Sequence, residues 1–94
     1  MEREDFIFTI GFDGSAAIVD KQAKKHYGSL STAELAEKGL FRAAFSSAVL
    51  SGNVEEKQLV ADAYNRLTGG NVPVGMLDRL FGVSLVDVRK TIRL

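Results

Sequence analysis

Residues 39–52 form a stretch in which Arg42 is the single charged residue. Phe41, Phe45 and Ala48 recur with the spacing of one helical face, and the remaining positions are small or apolar as well. A helix without a charged face is usually surrounded by protein, and about ten residues are too few for a membrane span, which needs ~20. The pattern therefore predicts a buried central helix at residues 40–51, around which the other elements pack.

Near the start of the chain, apolar residues alternate with smaller or more polar ones. Residues 6–12 follow this period-two pattern and are rich in aromatic and β-branched side chains, which is typical of a strand. Asp13-Gly14 follows at once and is a strong hairpin turn signal. Residues 16–19 then form the return strand, so that the sequence predicts an N-terminal β-hairpin.

A two-residue turn at Asp13-Gly14 sets the register of this hairpin, because it pairs Phe12 with Ser15 and Phe8 with Val19. One face then carries large apolar side chains and is expected to lie on the central helix: Phe6, Phe8, Ile10, Phe12, Ala17 and Val19. The other face is mixed and would present three residues as a partner or dimer surface: Ile7, Thr9 and Ile18.

Capping signals divide most of the remaining chain into short helices. Asp20 precedes a basic segment that is either a short helix or an irregular crossing, and Ser31 with Glu34 forms a capping box. Asn53 opens a further helix with Glu56 at the capping-box position. Later apolar positions are expected to face inward: Val60, Ala63, Tyr64, Leu67, Leu77, Leu80 and Phe81.

Together these elements predict an α+β fold, in which the N-terminal hairpin packs on a small bundle of four or five helices around the central helix. The chain has 94 residues, of which 46% are hydrophobic and 26% charged. Such a length and composition are typical of one globular domain with a modest core. We therefore expect a single domain over residues 1–94.

The composition also narrows the classes of function. The chain has no cysteine, which excludes disulfides and thiol chemistry and is compatible with a reducing compartment. The acidic start does not resemble a secretory signal, so the expectation is a cytoplasmic protein without membrane attachment. Because His26 is the only histidine, we expect no metal site, no cofactor and no enzymatic activity.

A few residues have both a structural and a functional interpretation. Ser46 and Ser47 lie in the apolar stretch without a base nearby in sequence, which favours helix packing over nucleophilic chemistry. The segment Lys24-Lys25-His26-Tyr27 is a solvated basic face or an anion site. Arg42 must pair or reach water, as a structural contact or as an anchor for an acidic partner.

Residues 77–89 resemble a helix-turn-helix, in which a glycine turn leads into a recognition helix. Gly82 fits the turn and Ser84 caps the second helix, whereas Asp78 departs from the small residue usual at that position. The resemblance implies a helix pair over residues 74–93 whose basic side chains contact nucleic acid: Arg79, Arg89, Lys90 and Arg93. The 12 acidic and 12 basic residues of the whole chain argue against general binding of polyanions.

The leading interpretation is a non-enzymatic protein–protein interaction module that associates with itself or with a protein partner. It depends on the first strand, since a long aromatic edge without proline is normally covered or paired. A small DNA-binding regulator is the second interpretation. A small enzyme or ligand-binding protein is the third, because a pocket needs no sequence motif.

Overall fold

The structure is a computed structural model that describes residues 3–13, 16–81 and 90–93. Its residue contacts divide the chain into two compact units, Met1–Ser29 with Val86–Leu94, and Leu30–Leu85. The predicted α+β class is confirmed, with a hairpin near the N-terminus and α-helices that pack together. That the chain forms one domain stays a prediction.

The first unit contains a three-stranded sheet in the order β1-β2-β3, with β2 in the centre. The hairpin strands β1 and β2 are antiparallel, whereas β3 pairs with β2 in parallel. The elements of this unit are α1 (Arg3–Ile7), β1 (Thr9–Asp13), β2 (Ala16–Val19), α2 (Lys21–Tyr27) and β3 (Lys90–Arg93).

The prediction that the first strand begins at Phe6 is wrong, since α1 occupies Arg3–Ile7. Two acidic residues, Glu4 and Asp5, stand in the first turn of α1, where the helix dipole favours negative charge. Thr9 then donates a hydrogen bond from Oγ1 to the Asp5 carbonyl at 2.7 Å. This bond satisfies one of the backbone carbonyls that have no partner within the helix at its C-terminal end. Strand β1 therefore begins at Thr9.

The predicted hairpin register is also wrong, because Asp13 pairs with Ala16 instead of standing in the turn. The register shifts again between Thr9 and Gly11, where β1 has an irregularity of the β-bulge type. An extra residue in one strand reverses which face the following side chains occupy. Ile10, expected inside, is therefore 55% exposed, whereas Thr9 is 6% exposed.

The second unit is helical, and α4 (Phe41–Ser51) is its central element. Helix α4 packs against both α3 (Thr32–Glu37) and α5 (Val54–Thr68), and it also contacts α6 (Leu77–Phe81). The elements of this unit are α3 (Thr32–Glu37), α4 (Phe41–Ser51), α5 (Val54–Thr68), a 3₁₀ turn (Val74–Met76) and α6 (Leu77–Phe81).

The predicted buried central helix is confirmed in α4. Phe45 is 3% exposed, and every residue from Ala43 to Ala48 is buried. The centroid of the Phe45 ring lies 5.8 Å from the centroid of the Phe81 ring. Helix α4 ends at Gly52 with φ 68°, a left-handed conformation that glycine adopts at little cost.

The predicted helix starts are confirmed as well. Asp20 caps α2 through its side chain, and Ser31 and Glu34 form both halves of the capping box of α3. Asn53 caps α5 by accepting a hydrogen bond from the Glu56 backbone N–H at 3.1 Å. The helix alternative for the basic segment after Asp20 is therefore the correct one.

Two of the inward-facing predictions are wrong. Leu67 is 50% exposed because it lies in the last turn of α5, just before the chain leaves the helix at Gly69. Leu80 is 46% exposed, since the five-residue helix α6 buries Leu77. Val60 and Ala63 are buried as expected.

The predicted final helix does not extend through residues 90–93, which form strand β3. Their alignment with β2 pairs Thr91 with Ala17 and Ile92 with Ile18. β-Branched residues such as Thr91 and Ile92 favour a strand that has a neighbour to pair with. The predicted start of this helix, at residues 82–89, lies outside the described residues.

Candidate functional site

Two of the three residues predicted to form a partner surface are buried in the structure. Ile7 is 3% exposed and lies on α1, while Thr9 is 6% exposed and bonded to the Asp5 carbonyl. Ile18 is half-buried in the central strand β2. Ile10, which the sequence pattern had placed on the inner face, is instead 55% exposed.

Two of the predicted nucleic-acid contacts, Lys90 and Arg93, lie on a strand and not on the predicted recognition helix. Arg79 is exposed on α6. Lys90 and Arg93 belong to strand β3, and Arg89 lies outside the described residues. Residues 90–93 are therefore not part of the helix that the resemblance implied.

Arg42 has a structural role in the helical unit. Its Nε donates a hydrogen bond to the Phe81 carbonyl at 3.0 Å. That carbonyl belongs to the last residue of α6, where a cation is favoured by the helix dipole. The Phe81 ring in turn lies 5.8 Å from Tyr64, which contacts Phe41 at 5.1 Å. Arg42 therefore holds α6 at the edge of an aromatic cluster.

A buried polar network connects the three main helices and was missed by the sequence analysis. The Thr32 hydroxyl donates to the Glu56 carboxylate and lies 2.7 Å from the Ser47 hydroxyl. A threonine hydroxyl has one proton, so Ser47 is the donor in its contact with Thr32. The other carboxylate oxygen of Glu56 accepts from Ser51 at 3.1 Å. Ser47 thus joins helices, in agreement with its predicted packing role.

Glu56 was the one sequence signal for this network, but its side chain does not complete a capping box. Instead, the Asn53 N–H donates to the Ser51 hydroxyl at 3.3 Å. The Glu56 carboxylate instead accepts hydrogen bonds from Thr32 of α3 and from Ser51 of α4.

A buried ion pair organises the first unit. Lys24 donates to the Asp5 carboxylate at 2.8 Å, and the Asp5 side chain is only 1% exposed. These residues are 19 positions apart, so no local pattern indicates their contact. Removing one partner of a buried pair leaves an uncompensated charge, which is costly.

The exposed side of α2 borders a pocket of about 480 Å³. Three lysines of α2 line it together with one residue of α1 and the turn after α2: Glu4, Lys21, Lys24, Lys25, Gly28 and Ser29. The predicted basic segment therefore contributes Lys24 and Lys25 to a concave surface. The rings of His26 and Tyr27 are tilted by 54° to each other, with 6.1 Å between their centroids.

The helical unit has a second pocket of about 400 Å³ between the exposed sides of α3 and α5. Its polar residues are largely engaged with one another, since Arg66 pairs with Glu37 and Gln58 donates to Asp62 at 2.9 Å. This pocket therefore has fewer groups available for a ligand.

Within the described ranges, no group of three or more His, Asp or Glu side chains could hold a metal ion. Likewise, no helix in the part of the chain that the structure describes is long and apolar enough to cross a bilayer.

Comparison with known family models, curated proteins and solved structures finds no match.

Proposed function

We propose that the protein is a non-enzymatic, cytoplasmic interaction module whose copies associate through β1. The observation that supports this proposal is the strand order, which puts β1 at one edge of the sheet. Among the described residues, no strand pairs with the outer side of β1. An edge strand presents unpaired backbone N–H and C=O groups, which are a template for pairing with another strand.

Ile10 adds an apolar contact to this edge, since it is 55% exposed within β1. The other edge strand, β3, is less suited to pairing with its own copy. It contains Lys90 and Arg93 in four residues, and like charges on facing strands oppose association. The β1 edge is therefore the better candidate for contact between copies.

A second copy of the chain is the partner that this edge fits. Two β1 strands can pair antiparallel about a twofold axis, so that each copy offers the same surface. The formal net charge of the chain is zero, which leaves little repulsion between copies. The irregularity beside Ile10 restricts regular pairing to Gly11–Asp13, so we expect a weak dimer.

The experiment is sedimentation velocity over protein concentrations from about 10 µM to about 1 mM, the range in which weak interfaces associate. The unchanged chain should shift from monomer to dimer across this range. Ile10→Lys should remain monomeric, because it introduces a charge at the pairing edge. Leu67→Lys is the matched control, since Leu67 is 50% exposed but lies in the helical unit.

A chain that is monomeric at every concentration would overturn the self-association proposal. Dimerisation that survives Ile10→Lys but is lost in Leu67→Lys would move the interface to the helical unit and refute the role of β1. Far-UV circular dichroism of both variants confirms that each substitution leaves the fold intact.

A further inference from the structure

The pocket beside α2 has the size of a small-molecule site. Its volume is about 480 Å³, within the range of roughly 300–1,000 Å³ that is usual for ligand pockets. Glu4 of α1 and three α2 lysines, Lys21, Lys24 and Lys25, are among the residues that line it. The pocket does not involve the β1 edge, so it is independent of the self-association proposed above.

Two contacts hold the walls of this pocket in place. The buried Asp5 carboxylate binds Lys24 at 2.8 Å. Arg3 donates from Nη1 to the Gly28 carbonyl at 3.0 Å, which fastens α1 to the turn after α2. Binding to side chains that are already held in place costs less conformational entropy than binding to mobile side chains.

Gly28 shows how closely α1 and the end of α2 approach each other. A Cβ at Gly28 would lie 3.1 Å from Cγ of Glu4 and 2.5 Å from the Lys24 carbonyl oxygen. Any larger residue would therefore push Glu4 away from its place beside the pocket. The Glu4 carboxylate is positioned by this packing and by Arg3, whose Nη1 lies 3.8 Å from it.

Two of the lysines are available to an anion. Lys21 and Lys25 are exposed and stand one turn apart on the same face of α2. No described acidic side chain forms an ion pair with either of them. Like charges at this spacing destabilise a helix, and a bound dianion would relieve that repulsion while accepting hydrogen bonds from both ammonium groups.

Glu4 indicates what else the ligand carries. A carboxylate accepts hydrogen bonds and repels an anion, so the part of the ligand that lies beside Glu4 must be neutral and rich in donors. We propose that this pocket binds a small phosphomonoester that carries hydroxyl groups, such as a sugar phosphate. Lys21 and Lys25 bind the phosphate, and Glu4 accepts from the hydroxyl groups.

The test is isothermal titration calorimetry at physiological salt with glucose 6-phosphate as the probe, and with glucose and inorganic phosphate as comparison ligands. The sugar phosphate should bind at least tenfold more tightly than inorganic phosphate, and glucose should not bind. Lys21→Gln/Lys25→Gln should weaken sugar phosphate binding at least tenfold. The matched control, Lys38→Gln/Lys57→Gln, removes the same charge from the helical unit and should bind normally.

Glu4→Gln separates the two parts of the proposed site. It should reduce the preference for glucose 6-phosphate over inorganic phosphate, because the hydroxyl contacts weaken while repulsion of the phosphate is removed. Absence of glucose 6-phosphate binding would overturn the proposal. Equal weakening in the Lys38→Gln/Lys57→Gln control would also refute it, since it would mean that only net charge matters. Inorganic phosphate binding as tightly as the sugar phosphate would refute the role of Glu4.

Discussion

Replacing Phe45 by alanine should destabilise the helical unit by about 3–5 kcal/mol, the usual cost of truncating a buried phenylalanine. Phe45 is 3% exposed on the central helix α4, so nearly all of its ring is removed from water. Its ring also lies 5.8 Å from that of Phe81, a contact that adds about 0.5–1.5 kcal/mol to such a pair.

The expected loss is large in comparison with the total stability. A chain of 94 residues has a free energy of unfolding of roughly 5–14 kcal/mol. Phe45→Ala would therefore remove about a fifth of it or more. The cavity would lie between α4 and α6, where the Arg42 contact to the Phe81 carbonyl depends on the same packing.

Urea unfolding followed by tyrosine fluorescence can assign the effect to the helical unit. The chain has two tyrosines, Tyr27 at the end of α2 and Tyr64 in α5. In a Tyr27→Phe background, Tyr64 is the single tyrosine and reports on the unit that contains Phe45. With a urea m value of about 1–3 kcal/mol per M, the unfolding midpoint should fall by about 1 M or more.

Leu50→Ala is the matched control, because Leu50 lies on the same helix but is 42% exposed. It should shift the midpoint much less than Phe45→Ala. Equal shifts in the two variants, or an unchanged midpoint in Phe45→Ala, would refute the reasoning that α4 is the buried centre of this unit.

Thr32→Val should lower the free energy of unfolding by about 1–3 kcal/mol, because Glu56 and Ser47 lose a buried hydrogen-bond partner. Thr32→Ser keeps the hydroxyl and should lower it less. Equal losses for the two variants in urea unfolding would contradict the network. Hydrogen bonding from the Ser31 backbone and side chain lowers the pKa of Glu34. The ionised Glu34 carboxylate therefore stabilises the fold at pH values above its ordinary pKa near 4.5. This stabilisation is lost as the pH falls through the lowered pKa. The melting temperatures of the unchanged chain and Glu34→Gln should therefore converge as the pH is lowered from 7 to below the ordinary value near 4.5. A difference in melting temperature that is independent of pH would argue against this linkage.

The parts of the fold that could be predicted are those encoded by neighbouring residues. Ser31 with Glu34 and Asn53 with Glu56 are caps in which the donor and acceptor stand three positions apart. Gly52 ends α4 because its own backbone adopts the left-handed conformation. The buried character of α4 was visible too, since a helix without a charged face is usually surrounded by protein.

The start and register of the hairpin depended on contacts that neighbouring residues do not specify. Residues 6–8 are aromatic and β-branched, as is typical of a strand. Helix α1 is nevertheless favoured by the acidic residues in its first turn and by the ion pair between Asp5 and Lys24, which stand 19 positions apart. The irregularity beside Ile10 then exchanges the faces of Ile10 and Thr9. Period two alone cannot reveal such a shift, because one inserted residue reverses every following side chain.

The candidate sites divide in the same way. The basic character of α2 is evident from Lys21, Lys24 and Lys25 in the sequence, but the pocket exists because Glu4 is brought against the end of that helix at Gly28. Strand β3 likewise became a strand through pairing with β2, a partner distant in the chain. Local sequence determined the capped helices, whereas the tertiary structure decided the pairings between distant residues, because their stability depends on a partner that no short stretch contains.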